Sequence, residues 1–282
     1  MSEGHASQTV AGHPRLSVNS VSSYRQPLAA DISLWHDLGV DHVGLILPKI
    51  DDVGWDDARE MVTSAGLRVS TIFGPTYRPL DADRSLGWWE ADQQRTVDTI
   101  ELAASIGAAS VYICSGAAPT LEWGEAADAF SAIVAPAVKR SSELGVPLLL
   151  EPTNPLRADI SFVFWQRDAM DLARQAGTKV MLDPQSCWYE RGLERVVRHN
   201  IDLVGLTQIS DYVIGTTQTG DRVVPGDGDI PLERLLTMVL DAGFEGSFDL
   251  EVMGPRVEEE GYHAALRRAV ERASELLDRV GA

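Results

Sequence analysis

The chain has 282 residues, 44% hydrophobic and 23% charged, the composition of a soluble globular protein. Its 42 Asp and Glu against 24 Lys and Arg leave a net charge of −18, which repels a phosphate backbone and argues against nucleic acid as a partner. No stretch reaches the ~18 apolar residues of a membrane span, and the N-terminal segment lacks the apolar core of a signal peptide, so a cytoplasmic protein without a membrane partner is expected.

Residues 1–14 are polar and aperiodic and read as a flexible tail, leaving residues 15–282 as one domain. From there, short β-branched or apolar runs alternate with amphipathic segments. The runs are LSVNSVS (16–22), DHVGLILP (41–48), RVSTIFG (68–74), SVYICSG (110–116), PLLLEP (147–152), KVMLDP (179–184), LVGLTQIS (203–210) and FDLEVMG (248–254). The segments between them carry apolar residues at helical spacing, as in Val97, Ile100 and Ala104, and several end at a glycine. Continuous apolar strands alternating with such helices imply a parallel sheet covered by helices, and eight repeats predict a single (β/α)8 TIM barrel. An open doubly wound sheet would carry a glycine-rich phosphate turn after its first strand, and none follows residue 22. Cys114 and Cys187, too few for a disulfide framework and without metal-type CxxC spacing, read as packed thiols.

Barrel enzymes keep their working residues at the C-terminal strand ends. Here the last four ends are polar: Glu151 in LLLEPTN, Asp183 in VMLDPQS, Gln208 with Ser210 and Asp211 in GLTQISD, and Glu251 in FDLEVMG. Carboxylates gathered there must be solvated, hydrogen-bonded or neutralised by a cation. An all-oxygen donor set favours Mn2+ or Mg2+ over Zn2+. The alternative for any one of these acids is that it caps the helix that follows.

The ordered set LLLEPTN, VMLDPQS, TQISD and FDLE, with PGDG between the last two, resembles the xylose-isomerase-like barrels, the superfamily of sugar isomerases and epimerases. The resemblance spans the barrel from about Leu16 onward. It implies one divalent metal ion held by Glu151, Asp183, Gln208 and Glu251. This chain has Gln208 and Ser186 where many ketose epimerases of the group carry His, and Ile214 where they place an Arg. Endonuclease IV shares the barrel but needs several His ligands. The six histidines here fall in the tail, on helices or at a strand start.

With such a site, Glu151 and Glu251 would exchange a proton with a carbon beside a polarised carbonyl. Lys49 is a candidate oxyanion donor or a surface lysine; Asn154, Ser186 and Asp211 are candidate hydroxyl partners, though Asn154 also suits a turn. Trp88 and Trp89 offer an apolar wall or simple packing, and Arg222 and Arg256 are candidate carboxylate or phosphate forks. PGDG reads as a turn, not a phosphate cradle, which favours a non-phosphorylated sugar, polyol or keto-glycoside. Three functions compete: a metal-dependent isomerase or epimerase; a metal-dependent lyase resembling inosose dehydratases or C-glycoside deglycosidase catalytic subunits, the latter with a small partner subunit; and a metal-free sugar-binding protein. A homo-oligomer is compatible with the resemblance, and nothing on the helical surface signals an interface.

Overall fold

The computed structural model describes residues 12–218 and 220–282. Within them the elements run β1 (Leu16–Asn19), α1 (Leu28–Leu38), β2 (His42–Ile46), α2 (Leu47–Val53), α3 (Trp55–Ser64), β3 (Arg68–Phe73), α4 (Glu90–Ser105), β4 (Val111–Cys114), α5 (Trp123–Leu144), β5 (Leu148–Glu151), α6 (Gln166–Ala176), β6 (Lys179–Leu182), α7 (Pro184–Cys187), α8 (Leu193–His199), β7 (Val204–Ile209), α9 (Leu232–Asp241), β8 (Phe248–Leu250), α10 (Pro255–Glu260) and α11 (Tyr262–Val280). All neighbouring strands are parallel, and β1 pairs with β8 as well as β2, Leu16 facing Phe248 and Val18 facing Val43. The sheet therefore closes into the eight-stranded barrel that the alternation predicts.

Each of the eight sequence runs contains a strand, but the strands are shorter than the runs. β1 stops at Asn19, whose side chain accepts the Val21 N–H at 3.0 Å and turns the chain. β2 stops at Ile46 because Pro48, which has no N–H for a ladder, suits the first turn of α2. The short helices α2 and α7, close behind their strand ends, and α10, after a short connection from β8, are too brief to show a period in the sequence. Of the expected tail, residues 1–11 lie outside the described residues. His13 donates its backbone N–H to Ser274 on α11 at 2.9 Å.

The helices bury one stripe each. On α9 that stripe is Leu232, Leu235, Leu236 and Val239, the i, i+3, i+4, i+7 pattern of an amphipathic helix. Inside the barrel a separate cluster of Tyr112, Leu149, Met181 and Leu206, with Phe73 packed against it, fills the bore. Side chains alternate along a strand, so the next inward position lies two residues further toward the C-terminal mouth. That position is Cys114 on β4, Glu151 on β5, Asp183 after β6, Gln208 on β7 and, counting from the inward Asp249, Glu251 after β8. Asp249 itself is wholly buried, accepts from Ser17 at 2.5 Å and Asn19 at 2.7 Å, and is pushed up to about 7 by burial. Gly44 passes so close that an added Cβ would meet Asn19 and Asp249 within 2.9 Å, which explains glycine there.

His42 opens β2, buried, with no partner for Nδ1. Burial, then Arg68, lowers its pKa to about 4 from the ordinary 6.5. The unfolded chain therefore binds the extra proton between pH 6.5 and 4, and stability contributed by neutral His42 is lost as pH falls through that window. His42→Gln should flatten the acid limb of stability over this window by up to about 3 kcal/mol, read from urea midpoints at stepped pH.

Candidate active site

The mouth of the barrel gathers the four polar strand ends around one guanidinium. Arg222 places Nη2 3.0 Å from Asp183 Oδ2 and Nε 3.2 Å from Glu251 Oε1, and donates from Nη1 to Ser210 Oγ at 3.2 Å. Its side chain is 10% exposed. Asp183 also accepts the Gln185 N–H on Oδ1 at 3.0 Å and the Ser186 hydroxyl on Oδ2 at 2.9 Å, so it caps the one-turn helix α7 as well as holding Arg222. Glu251 Oε2 accepts the side-chain amide of Gln208, whose Oε1 has no partner. Among the described residues Glu151 has one hydrogen-bond partner, the Cys114 thiol, 3.7 Å away.

The loop after β7 delivers Arg222. Its backbone N–H and carbonyl both bond Met253 beyond β8, at 2.8 and 2.9 Å, while Val223 bonds Asp211 beyond β7 in the same double fashion. The return of the loop is tied by the Asp211 carboxylate, which accepts the N–H groups of Tyr212, Gly226, Gly228 and Ile230 at 2.8 to 3.1 Å. A Cβ on Gly228 would overlap that carboxylate, so PGDG is a close-approach turn, as the sequence suggests. Asp227 of the same turn pairs with Arg268 and Arg272 on α11.

Burial raises the Glu151 pKa well above the carboxylate range, and Glu251 and Asp183 add to it against the pull of Arg222. Glu251 is also raised by burial, but Arg222 is the largest influence after burial and favours its anion. Burial opposes the charge on Arg222; Asp183, Glu251 and Glu151 nevertheless hold it protonated. Burial raises the Cys114 thiol as well, so it is a neutral neighbour of Glu151.

A cavity of about 320 Å3 opens over this cluster, lined by Glu151, Glu251, Arg222, Asn154, Gln185 and Ser186 on its polar side. The stacked pair Phe73 and Tyr112, 4.7 Å between centroids, with Leu156 and Met253, forms its apolar side. A larger surface hollow of about 820 Å3 lies outside the loop between α9 and α11 and contains none of the strand-end acids except Asp211.

Several sequence candidates lie elsewhere. Lys49 is neither at the surface nor in the cavity: it is buried in α2, with Nζ 2.5 Å from Asp31 and 2.9 Å from the Ser23 carbonyl. Trp88 is exposed under Arg78 and Arg84, while Trp89 is buried, and neither lines the cavity. Asp211 organises the loop, not the cavity wall. Arg256 stands half-exposed outside, its nearest acid Asp221 at 4.0 Å. Ile214, in the place of the expected arginine, is exposed, and the guanidinium arrives from Arg222 instead. Cys114 and the floor pair Phe73 and Tyr112 were missed as site residues. The signal for Cys114 was present, since it ends the fourth apolar run as Glu151 ends the fifth.

The family model of the xylose isomerase-like TIM barrel matches residues 32–277. The chain belongs to this family. No curated protein matches it. Among solved structures it is similar to protein SMc04130 from Sinorhizobium meliloti 1021, at 20% identity over 93% of this chain and 98% of that one, TM-score 0.84. It is also similar to the IOLI protein with a binding zinc atom, at 16% identity over 94% and 99%, TM-score 0.78. A third is the 3-keto-D-glucoside 4-epimerase YcjR from E. coli, at 13% identity over 94% and 99%, TM-score 0.71.

The family resemblance implied a divalent ion on Glu151, Asp183, Gln208 and Glu251. The barrel brings the four to one mouth, yet their arrangement does not fit such an ion. Arg222 bridges Asp183 and Glu251, so a cation already lies between the two acids, and Gln208 turns its amide nitrogen, not its oxygen, toward Glu251. Among the described residues no three His, Cys, Asp or Glu side chains converge to hold a metal.

Two variants check these assignments. Lys49→Met leaves Asp31 buried without its counter-charge and should cost about 3–5 kcal/mol in denaturant unfolding, largely restored by adding Asp31→Asn. Asp211→Ala should speed amide hydrogen exchange at Gly226, Gly228 and Ile230 and cost at least about 2 kcal/mol.

Proposed function

We propose that this chain is an isomerase or epimerase of a non-phosphorylated sugar or related hydroxy ketone, moving a proton on the carbon beside a carbonyl. The observation that carries this reading is the pairing of Glu151 and Glu251 on the wall of one small cavity, in different electrostatic surroundings. Glu251 has Arg222 to hold its anion and acts as the base. Glu151 has no cationic hydrogen-bond partner among the described residues and is raised by burial and by Glu251, which suits it to the role of the acid. Two carboxyl groups whose environments separate their affinities for a proton are what proton removal and return require. Asn154, Gln185 and Ser186 line the cavity as hydroxyl partners, and the Phe73–Tyr112 floor suits the apolar face of a sugar ring. The cavity volume suits a small ligand. The fold-level likeness to a 3-keto-D-glucoside 4-epimerase supports a keto sugar as the substrate class.

A second reading, a lyase acting on keto-glycosides, is favoured by one feature. The cavity rim carries Tyr24 and Leu156, more than half exposed, beside Met253, an apolar edge suited to an aglycone.

Incubation with ketopentoses, ketohexoses and 3-keto-glucosides in D2O, followed by NMR, tests both. Deuterium should enter the carbon beside the carbonyl of at least one sugar, with Glu151→Gln and Glu251→Gln each slower by about 100- to 10,000-fold. An unsaturated carbonyl product or released aglycone would move the lyase reading to first place. Binding without exchange in any sugar would overturn both and leave a binding protein.

A further inference from the structure

The mouth of the barrel holds its own cation. Asp183 and Glu251, two of the acids to which the family resemblance assigned a divalent ion, instead grip Arg222 at 3.0 and 3.2 Å. The guanidinium is fixed from behind, because its backbone is bonded on both edges to Met253 and the neighbouring Val223 to Asp211. Three of its five N–H groups are committed, to Asp183, Glu251 and Ser210. Among the described residues one is left without a partner on each terminal nitrogen, and Arg222 lines the cavity beside both Glu151 and Glu251.

We propose that the Arg222 guanidinium is the resident cation of this site in place of a divalent ion, and a catalytic residue that donates its two free N–H groups to oxygens on adjacent carbons of the substrate. The proposal rests on the isomerase reading for its chemistry. Its planar fork matches two neighbouring oxygens, a carbonyl and the hydroxyl beside it, in a way a point charge does not. When the C–H bond beside the carbonyl breaks, the proton goes to Glu251. The electron pair forms the new C=C bond, and the former carbonyl pair moves onto oxygen. The resulting enediolate anion lies against the guanidinium, which is already in place and shielded from water, where such stabilisation is largest. Protonation of carbon by Glu151 restores the carbonyl form and completes the exchange. No oxidant, reductant or further co-reactant is needed.

Titration of the purified, chelator-treated protein with Mn2+, followed by electron paramagnetic resonance, tests occupancy without any substrate. The parent should bind no stoichiometric Mn2+, and its deuterium exchange should be the same with or without EDTA. Arg222→Ala should gain an Mn2+ site, because it vacates the place between the acids. Its exchange should fall about 100-fold or more and recover in part with added guanidinium chloride but not with sodium chloride. Arg222→Lys, which keeps a charge without the fork, should fold as the parent does and remain well below it in exchange. One equivalent of Mn2+ in the parent, with exchange abolished by EDTA, would overturn the proposal, as would parental exchange in Arg222→Ala or Arg222→Lys. If no sugar exchanges deuterium with the parent, the isomerase reading fails, whereas the Mn2+ titration still decides whether Arg222 is the cation of the site.

Discussion

Closing a parallel barrel forces every strand end to one mouth, and in this chain three of those ends are acids. Two unit charges about 4 Å apart interact by roughly 4 kcal/mol even at the effective dielectric of a protein surface, so three carboxylates in one buried layer cannot all stay ionised without a cation. Arg222 answers that constraint. Much of the local architecture serves to put it there: the loop after β7 folds back between the extensions of β7 and β8, Asp211 ties its return, and Asp227 anchors it to α11.

The same charge balance differentiates the two glutamates. Glu251 shares Arg222 with Asp183 through direct contacts, while Glu151 has the neutral Cys114 thiol beside it and feels Arg222 only through its field, against that of its fellow acids. Burial raises both carboxyls, and the direct contact with Arg222 favours the anion at Glu251. Beneath them the apolar plug of Tyr112, Leu149, Met181 and Leu206 fills the bore, so the cavity over the acids has an apolar floor. That combination of an apolar floor, a fixed cation and two carboxyls in different surroundings is what directs the reading toward proton transfer on a small polar molecule.

The strand ends were legible because alternation is a local property. An apolar run that terminates in a carboxylate declares a position at the mouth, and Glu151, Asp183, Gln208 and Glu251 were all found this way. Residues on helices and loops gave no such parity. Lys49 follows a strand end and reads like a mouth residue, yet Pro48 begins a helix that turns it back against Asp31 and Ser23. Asp211 sits one residue beyond Ser210 and spends its oxygens on the N–H of its neighbour Tyr212 and on three backbone N–H groups of a turn more than a dozen residues away. Arg222 was visible only as a cation near the rim, since its pairing with Asp183 and Glu251 joins positions 39 and 29 residues apart.

The sequence by itself determined the barrel, the order of its strands, the layer of acids and the family, because periodicity, strand-end chemistry and the ordered motifs are written in consecutive residues. The tertiary structure decided that Asp183 and Glu251 pair with Arg222, that Glu151 does not, and which candidates face the cavity. Those properties depend on distances and burial among side chains far apart in the chain, and charge–charge energies become specific only when folding sets the separation and excludes the water between them.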